Sequence, residues 1–235
     1  MPTDAMNVLV DDTDPLVHYS SGWQRPSSGK PQEYNSTTHE SLSPDEPATF
    51  SFTGTSITVF GTVANNGDAG MKISIDGRPS GSFDVDDQST QGHNMRFWNA
   101  SDLEDTLHTL TVIVDHKSLI GSTQTLFLDY FVYTMRSTAG KSVLIDDSET
   151  GVITYSPDWK PDTDSDGSLN RTQHVSQKDG SWVALCFEGT QISFFGAEIH
   201  ATIRHYQWIP RSDENTADSK IHSFNRVFYL KEITP

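Results

Sequence analysis

The sequence predicts an all-β chain of two tandem β-sandwiches, the second incomplete in its C-terminal half. Three observations lead there. Residues 7–61 and 142–196 carry the same text twice, NVLVDDTDPLVHYSSGW…FTGTSITVFG and SVLIDDSETGVITYSPDW…FEGTQISFFG, about 135 residues apart. That spacing is too long for a solenoid and suits a repeated domain. Apolar and polar residues alternate in short runs, the period of half-buried strands. Gly, Pro, Asp and Ser break those runs every ten residues or so, the rhythm of an all-β sandwich.

Identical pairs between the copies include Asp11/Asp146, Asp12/Asp147, Tyr19/Tyr155, Trp23/Trp159, Asn35/Asn170, His39/His174, Phe52/Phe187, Gly54/Gly189, Ile57/Ile192 and Gly61/Gly196. Within the first copy, residues 48–52 and 56–63 alternate around Gly54 and read as two strands. The run from Met71 ends in Asp76-Gly77, a pair that tolerates positive φ and so predicts a tight hairpin into residues 80–85. Leu103, within SDLED, marks one short helical turn. Residues 107–115 alternate again, while 126–133 (LFLDYFVY) are apolar enough for a central strand between packed layers. The expected boundaries are a complete domain over 1–136, a linker at 137–141, and a truncated or diverged copy over 142–235.

The opening VDDTDPLVHYSSGW, the FTGTSITVFG pair, the SIDG hairpin and the closing LHTLTVIVDH…LFLDYFVYT resemble the galactose-binding-like jelly-roll sandwiches. More narrowly, they look like the tandem modules of surface proteins from mushroom-forming fungi. The resemblance spans 7–134 in full and 142–196 as a half copy. It implies a jelly-roll topology, and a function among sugar-binding modules, adhesion domains and silent scaffolds, a choice that the fold does not make.

After Gly196 the second copy departs from the first. No SIDG hairpin, HTL strand or LDYF strand follows. The tail 197–235 holds five acidic residues (Glu198, Asp213, Glu214, Asp218, Glu232) and five basic ones (Arg204, Arg211, Lys220, Arg226, Lys231), so the net charge lies before it. Either this half is truncated or diverged, or 221–233 supplies one or two replacement strands. In both cases exposed strand edges favour self-association.

Composition narrows the function classes. With 32 acidic against 16 basic residues the net charge is −16, which repels phosphate backbones and anionic lipid, so nucleic acid is not an expected partner. No run approaches the roughly 20 apolar residues of a membrane span. Cys186 is the sole cysteine and reads as a small core residue. The start, MPTDAMNVLVDD, shows no signal peptide. Three sequons, at Asn35, Asn99 and Asn170, nevertheless favour a secreted or cell-surface glycoprotein whose export signal lies outside this chain.

No GxSxG elbow or HExxH spacing is present, and the chain is expected not to be an enzyme. Adjacent Asp11 and Asp12 should point to opposite strand faces, one of them capping a turn. Asp162, Asp164 and Asp166 form the first half of a DxDxDG loop; the twelfth position is Gln173, and the readings are a solvated acidic loop or a weak calcium site. No other cofactor is implied. Sugar sites pair an aromatic face with a few fixed polar groups, and the candidates are Trp98, Asn94, His39 and Trp23, with Tyr19, Tyr155, Trp159 and His174. The competing reading for Trp23 and Trp159 is core packing, and for the histidines a structural hydrogen bond. The function expected is recognition of a glycan or cell-wall polysaccharide. The alternatives are a structural or adhesion spacer and a calcium-dependent lectin.

Overall fold

The computed structural model describes residues 6–26, 29–64, 69–85, 92–116, 126–136, 141–163, 168–178, 180–188, 192–194, 206–210 and 225–230. For 116, 186–188, 206–210 and 225–230 it describes backbone alone. The chain divides into two compact units, Met1–Ile145 and Asp146–Pro235. Among the described residues no helix is long and apolar enough to cross a membrane.

The first unit is a sandwich of two antiparallel sheets. Its strands are β1 (Met6–Asp11), β2 (Val17–Tyr19), β3 (Trp23–Gln24), β4 (Glu40–Ser41), β5 (Pro47–Gly54), β6 (Ser56–Val63), β7 (Ala69–Ile75), β8 (Arg78–Asp84), β9 (Gly92–Ala100), β10 (Thr106–His116) and β11 (Leu126–Met135). One sheet runs β1-β11-β6-β9 and the other β2-β5-β10-β7-β8, with β3 and β4 as a separate short pair. The chain passes repeatedly from sheet to sheet, as the expected jelly roll requires. Alternation sends Phe50, Phe52, Leu110, Val112, Ile73 and Ile75 inward from one sheet, to meet Val8, Ile57, Val59, Phe131 and Tyr133 from the other. Phe50 and Phe131, each 1% exposed, stack across the gap at 5.2 Å. Burying such a ring contributes about 1.5–3 kcal/mol.

Two of the repeated glycines are explained by close approach. A side chain on Gly54 would strike the Thr134 carbonyl, and one on Gly61 would strike the Phe127 carbonyl and the Phe97 ring. The Asp76-Gly77 hairpin forms as expected, with φ of 52° and 74°. Asp76 also ties the turn to the sheet: Oδ1 accepts from the Thr109 amide (2.8 Å) and Oδ2 lies 2.8 Å from His108 Nδ1. His108 Nε2 faces the Glu104 carbonyl at 2.8 Å. Both ring nitrogens therefore face acceptors, which only the doubly protonated imidazolium satisfies. Its pKa is accordingly raised, first by the Asp76 hydrogen bond.

The short helical turn expected at Leu103 is not there. Asp102 takes φ 60°, which no right-handed helix accommodates, and the Leu103 amide instead donates to Thr55 in an extended loop. The β1 edge is occupied within this unit: Val143 bridges antiparallel to Val8, with Leu9 N–H donating to the Ser142 carbonyl and Leu144 N–H to that of Asn7.

The second unit contains β12 (Ile153–Tyr155), β13 (Trp159–Asp162), β14 (Gln173–Ser176), β15 (Val183–Glu188), β16 (Tyr206–Pro210) and β17 (Asn225–Leu230). Its pairing repeats that of the first. Tyr155 faces Val183 as Tyr19 faces Ala48, and Trp159 faces Ser176 as Trp23 faces Ser41. Arg226 of β17 faces Phe187 where His108 of β10 faces Phe52. The order β12-β15-β17-β16 thus reproduces β2-β5-β10-β7. The tail supplies replacement strands to one sheet without the SIDG or HTL text. Among the described residues nothing corresponds to β6, β9 or β11, and residues 192–194, which align with the middle of β6, form no strand.

Candidate functional site

Two constellations in the first unit gather the chemistry-bearing residues. The first grows from the repeated text. β1 ends at Asp11, and Asp12 already lies in the following turn, its amide bound to the Asp129 carbonyl at 2.7 Å. Strand alternation therefore stops applying between the two aspartates. The expectation that they part to opposite faces is overturned: Thr37 Oγ1 lies 2.5 Å from Asp12 Oδ1 and 3.1 Å from Asp11 Oδ1. Asp11 also caps its turn through the Thr13 amide (3.0 Å) and accepts from the Asn35 side-chain amide. His39 Nδ1 sits 2.6 Å from Asp12 Oδ2, its ring stacked on Tyr19 at 4.0 Å, and the Tyr19 hydroxyl donates to the Asp12 carbonyl.

Asn35 reaches Asp11 because it adopts left-handed φ (50°) inside the short 3-10 turn Tyr34–Ser36, a conformation that Asn tolerates best among residues with a side chain. Burial raises the Asp12 carboxyl to about 6 against the opposing His39 hydrogen bond. For Asp11 burial acts upward as well, but hydrogen bonds from Asp12, Thr13, Asn35 and Thr37 outweigh it and the pKa falls. Two carboxylates this close cannot ionise independently, which separates their values.

The second unit builds the same network: Thr172 Oγ1 to Asp147 (2.6 Å) and Asp146 (3.2 Å), Asn170 to Asp146 (3.1 Å), His174 Nδ1 to Asp147 (2.6 Å), and Tyr155 stacked on His174 at 4.0 Å. Asn170 has φ 51°. The sequons at Asn35 and Asn170 thus coincide with a hydrogen-bonded motif in which amide and hydroxyl both serve the aspartate pair. Asn99, by contrast, is exposed on β9.

The second constellation lies where the loop before the 3-10 turn covers the outer face of the β1-β11-β6-β9 sheet. Tyr34 leans over Tyr130 (5.9 Å), which stacks on Phe60 (4.8 Å). Asn94 sits between bulges of edge strand β9 with φ 54°, its amide donating to the Gln32 carbonyl (3.2 Å) and its oxygen facing the Tyr130 hydroxyl (3.3 Å). Thr62 Oγ1 contacts both His93 Nδ1 (3.0 Å) and Glu33 (3.2 Å). Beneath them Asp129 is wholly enclosed, with both oxygens on the Tyr34 amide at 3.0 and 3.2 Å. Burial drives its pKa to about 8, with help from the charges of Asp12, Glu33 and Asp11.

The sequence candidates therefore separate. Trp23 is buried beside Tyr19, its indole N–H donating to the Glu46 carbonyl (2.9 Å), and His39 belongs to the same network. Asn94 joins the Tyr34–Tyr130 cluster. Trp98 is half-buried against the core, its indole nitrogen over Gly81 of β8. Tyr34, Tyr130, Asp129, Glu33, Thr62 and His93 carry no repeated text, so the copy-to-copy comparison could not find them. A non-alternating Asp within LFLDYFVY was the one available signal. Asp162 accepts from Gln173 Nε2 at 3.0 Å, whereas Asp164 and Asp166 lie outside the described residues. Among the described residues no three His, Cys, Asp or Glu side chains are grouped to hold a metal.

No family model matches the sequence, and no curated protein matches it. Solved structures do. The chain is similar to a family two carbohydrate esterase from Cellvibrio japonicus (13% identity, 60% of this chain, 36% of that one, TM-score 0.39). It is also similar to a two-domain esterase active on acetylated mannans (11%, 58% and 39%, TM-score 0.43). A third is a family 35 carbohydrate binding module from Clostridium thermocellum (14%, 53% and 97%, TM-score 0.39). The match spans well under two thirds of either esterase.

Proposed function

We propose that this chain is a non-enzymatic recognition protein, and that its first unit binds a glycan or cell-wall polysaccharide at the Tyr34–Asn94 cluster. The observation that carries the reading is Asn94. A residue with a side chain is held in left-handed φ at a bulge, its amide locked between an aromatic hydroxyl and a loop carbonyl. Such strained, over-determined positions gather at binding sites. Tyr34, half-buried, offers an aromatic face beside it, and exposed Gln32 and Arg96 offer polar groups around it. An aromatic platform with a few fixed polar groups is what a sugar ring requires. A secreted or surface location, as in the fungal modules that the sequence resembles, fits such a partner.

The spacer reading has its own support. Trp23 is enclosed, and His39 and His174 make identical bonds in both units, as scaffold residues would. Glycan-array binding by the full chain, by Tyr34→Ala and by Asn94→Ala separates the two. Recognition requires binding that both substitutions reduce at least tenfold with the fold retained. Absence of binding leaves the spacer, and full binding by both variants would put recognition away from the Tyr34–Asn94 cluster. Loss of binding on chelation would favour the calcium-dependent lectin.

A further inference from the structure

The segment that covers the β1 edge is the second copy's own version of β1. Ser142, Val143 and Leu144 align with Asn7, Val8 and Leu9. The two segments pair antiparallel about Val8 and Val143, and the two hydrogen bonds are equivalents of each other. Leu9 N–H donates to the Ser142 carbonyl (2.9 Å), and Leu144 N–H donates to the Asn7 carbonyl (2.8 Å). Exchanging the copies maps one bond onto the other. Antiparallel pairing gives any such contact a local two-fold; here the strap also presents the same Val and Leu that β1 itself would present in an isologous pair.

We propose that the β1 edge is a docking surface for the β1 strand of a second copy of this chain, and that residues 142–144 are a strap that keeps it covered. In the dimer, Leu9 N–H of each chain donates to the Asn7 carbonyl of the other about a Val8–Val8 pair, reproducing both bonds seen with the strap. Three features suit this. β1 is the terminal strand of its sheet, so its outer N–H and C=O groups need a partner. Among the described residues the strap is held by two backbone bonds, and its Val143 is 38% exposed. Met6 at the start of β1 is 47% exposed.

The test uses the full chain. Leu144→Pro removes one strap bond and clashes with the edge, whereas the core of the first unit does not involve Leu144. Wild type is expected to sediment as a monomer and Leu144→Pro as a concentration-dependent dimer of twice the mass. Protection of the Leu9 amide in Leu144→Pro should rise with concentration. Adding Leu9→Pro should abolish dimer formation, because that amide faces the edge and not β11. A Leu144→Pro chain that circular dichroism shows folded and that stays monomeric at millimolar concentration overturns the proposal. So does a dimer that survives Leu9→Pro.

Discussion

The same polar motif is built twice in this molecule, and the aspartate that holds its histidine is fully enclosed only in the first copy. In the first unit Asp12 has no exposed side-chain surface; in the second, its counterpart Asp147 is 25% exposed with its histidine at the same 2.6 Å. Trp23 places its indole N–H on the Glu46 carbonyl, while Trp159 Nε1 is buried with no partner among the described residues. Asp129 roofs the first network from β11, and no described residue takes that place in the second. The geometry of the motif is therefore local, encoded by residues within about thirty positions of each other. Its burial is a property of the sheet packed over it.

The sharpest way to break that comparison is to delete the acceptor in each unit. Asp12→Ala removes the fully enclosed partner of His39 and should destabilise the first unit by about 3 kcal/mol. Asp147→Ala, where water can replace the carboxylate, should cost about 1 kcal/mol. Separate denaturant midpoints for the two units would show it, and equal losses would mean that enclosure does not matter.

The next effect is pH. Asp129 and Asp12 have carboxyls raised above their unfolded value near 3.8, so the native state binds protons more tightly than the unfolded one. Their contribution is fully present below about pH 4 and is lost as pH rises, through about 6 for Asp12 and about 8 for Asp129. Stability of the first unit should fall between pH 5 and 8, and Asp129→Asn should remove most of the part above pH 6. Urea denaturation at a series of pH values measures both.

Asn35→Gln should cost the first unit about 1 kcal/mol through the lost Asp11 bond and the strained φ. Asn170→Gln should cost less, and Asn99→Gln should stay within about 0.5 kcal/mol. Thermal melting ranks the three. The smallest change sharpens the comparison at one register position, where His108 of β10 stands in the place of Arg226 of β17. His108 is raised and Asp76 lowered, so their pairing holds between those two values and is lost as pH climbs through the histidine's. His108→Gln should loosen only the Asp76-Gly77 hairpin, visible as faster exchange of the Thr109 amide.

These differences mark how far the sequence could be read. Strands and the Asp76-Gly77 hairpin follow from local alternation and turn chemistry, which act over a few residues. The pairing registers of the second unit follow from repeated text. Asp129 and Tyr34 were not legible, because their roles arise from a bulge and a loop that meet across 95 positions. Convergence of Asp11 and Asp12 was misjudged because alternation was carried one residue beyond the end of β1. β16 and β17 take the places of β7 and β10 by backbone pairing alone, which no side-chain comparison detects.

Hydrogen exchange at two equivalent amides tests the central contrast most directly. Ser20 N–H donates to the Pro47 carbonyl (3.1 Å) and Ser156 N–H to that of Trp182 (2.9 Å), the same bond in the two copies. Ser20 is expected to exchange only on global unfolding of its unit, and Ser156 about 100-fold faster through local opening. Equal protection at the two serines would contradict the account, because it would mean that the second network is closed as tightly as the first.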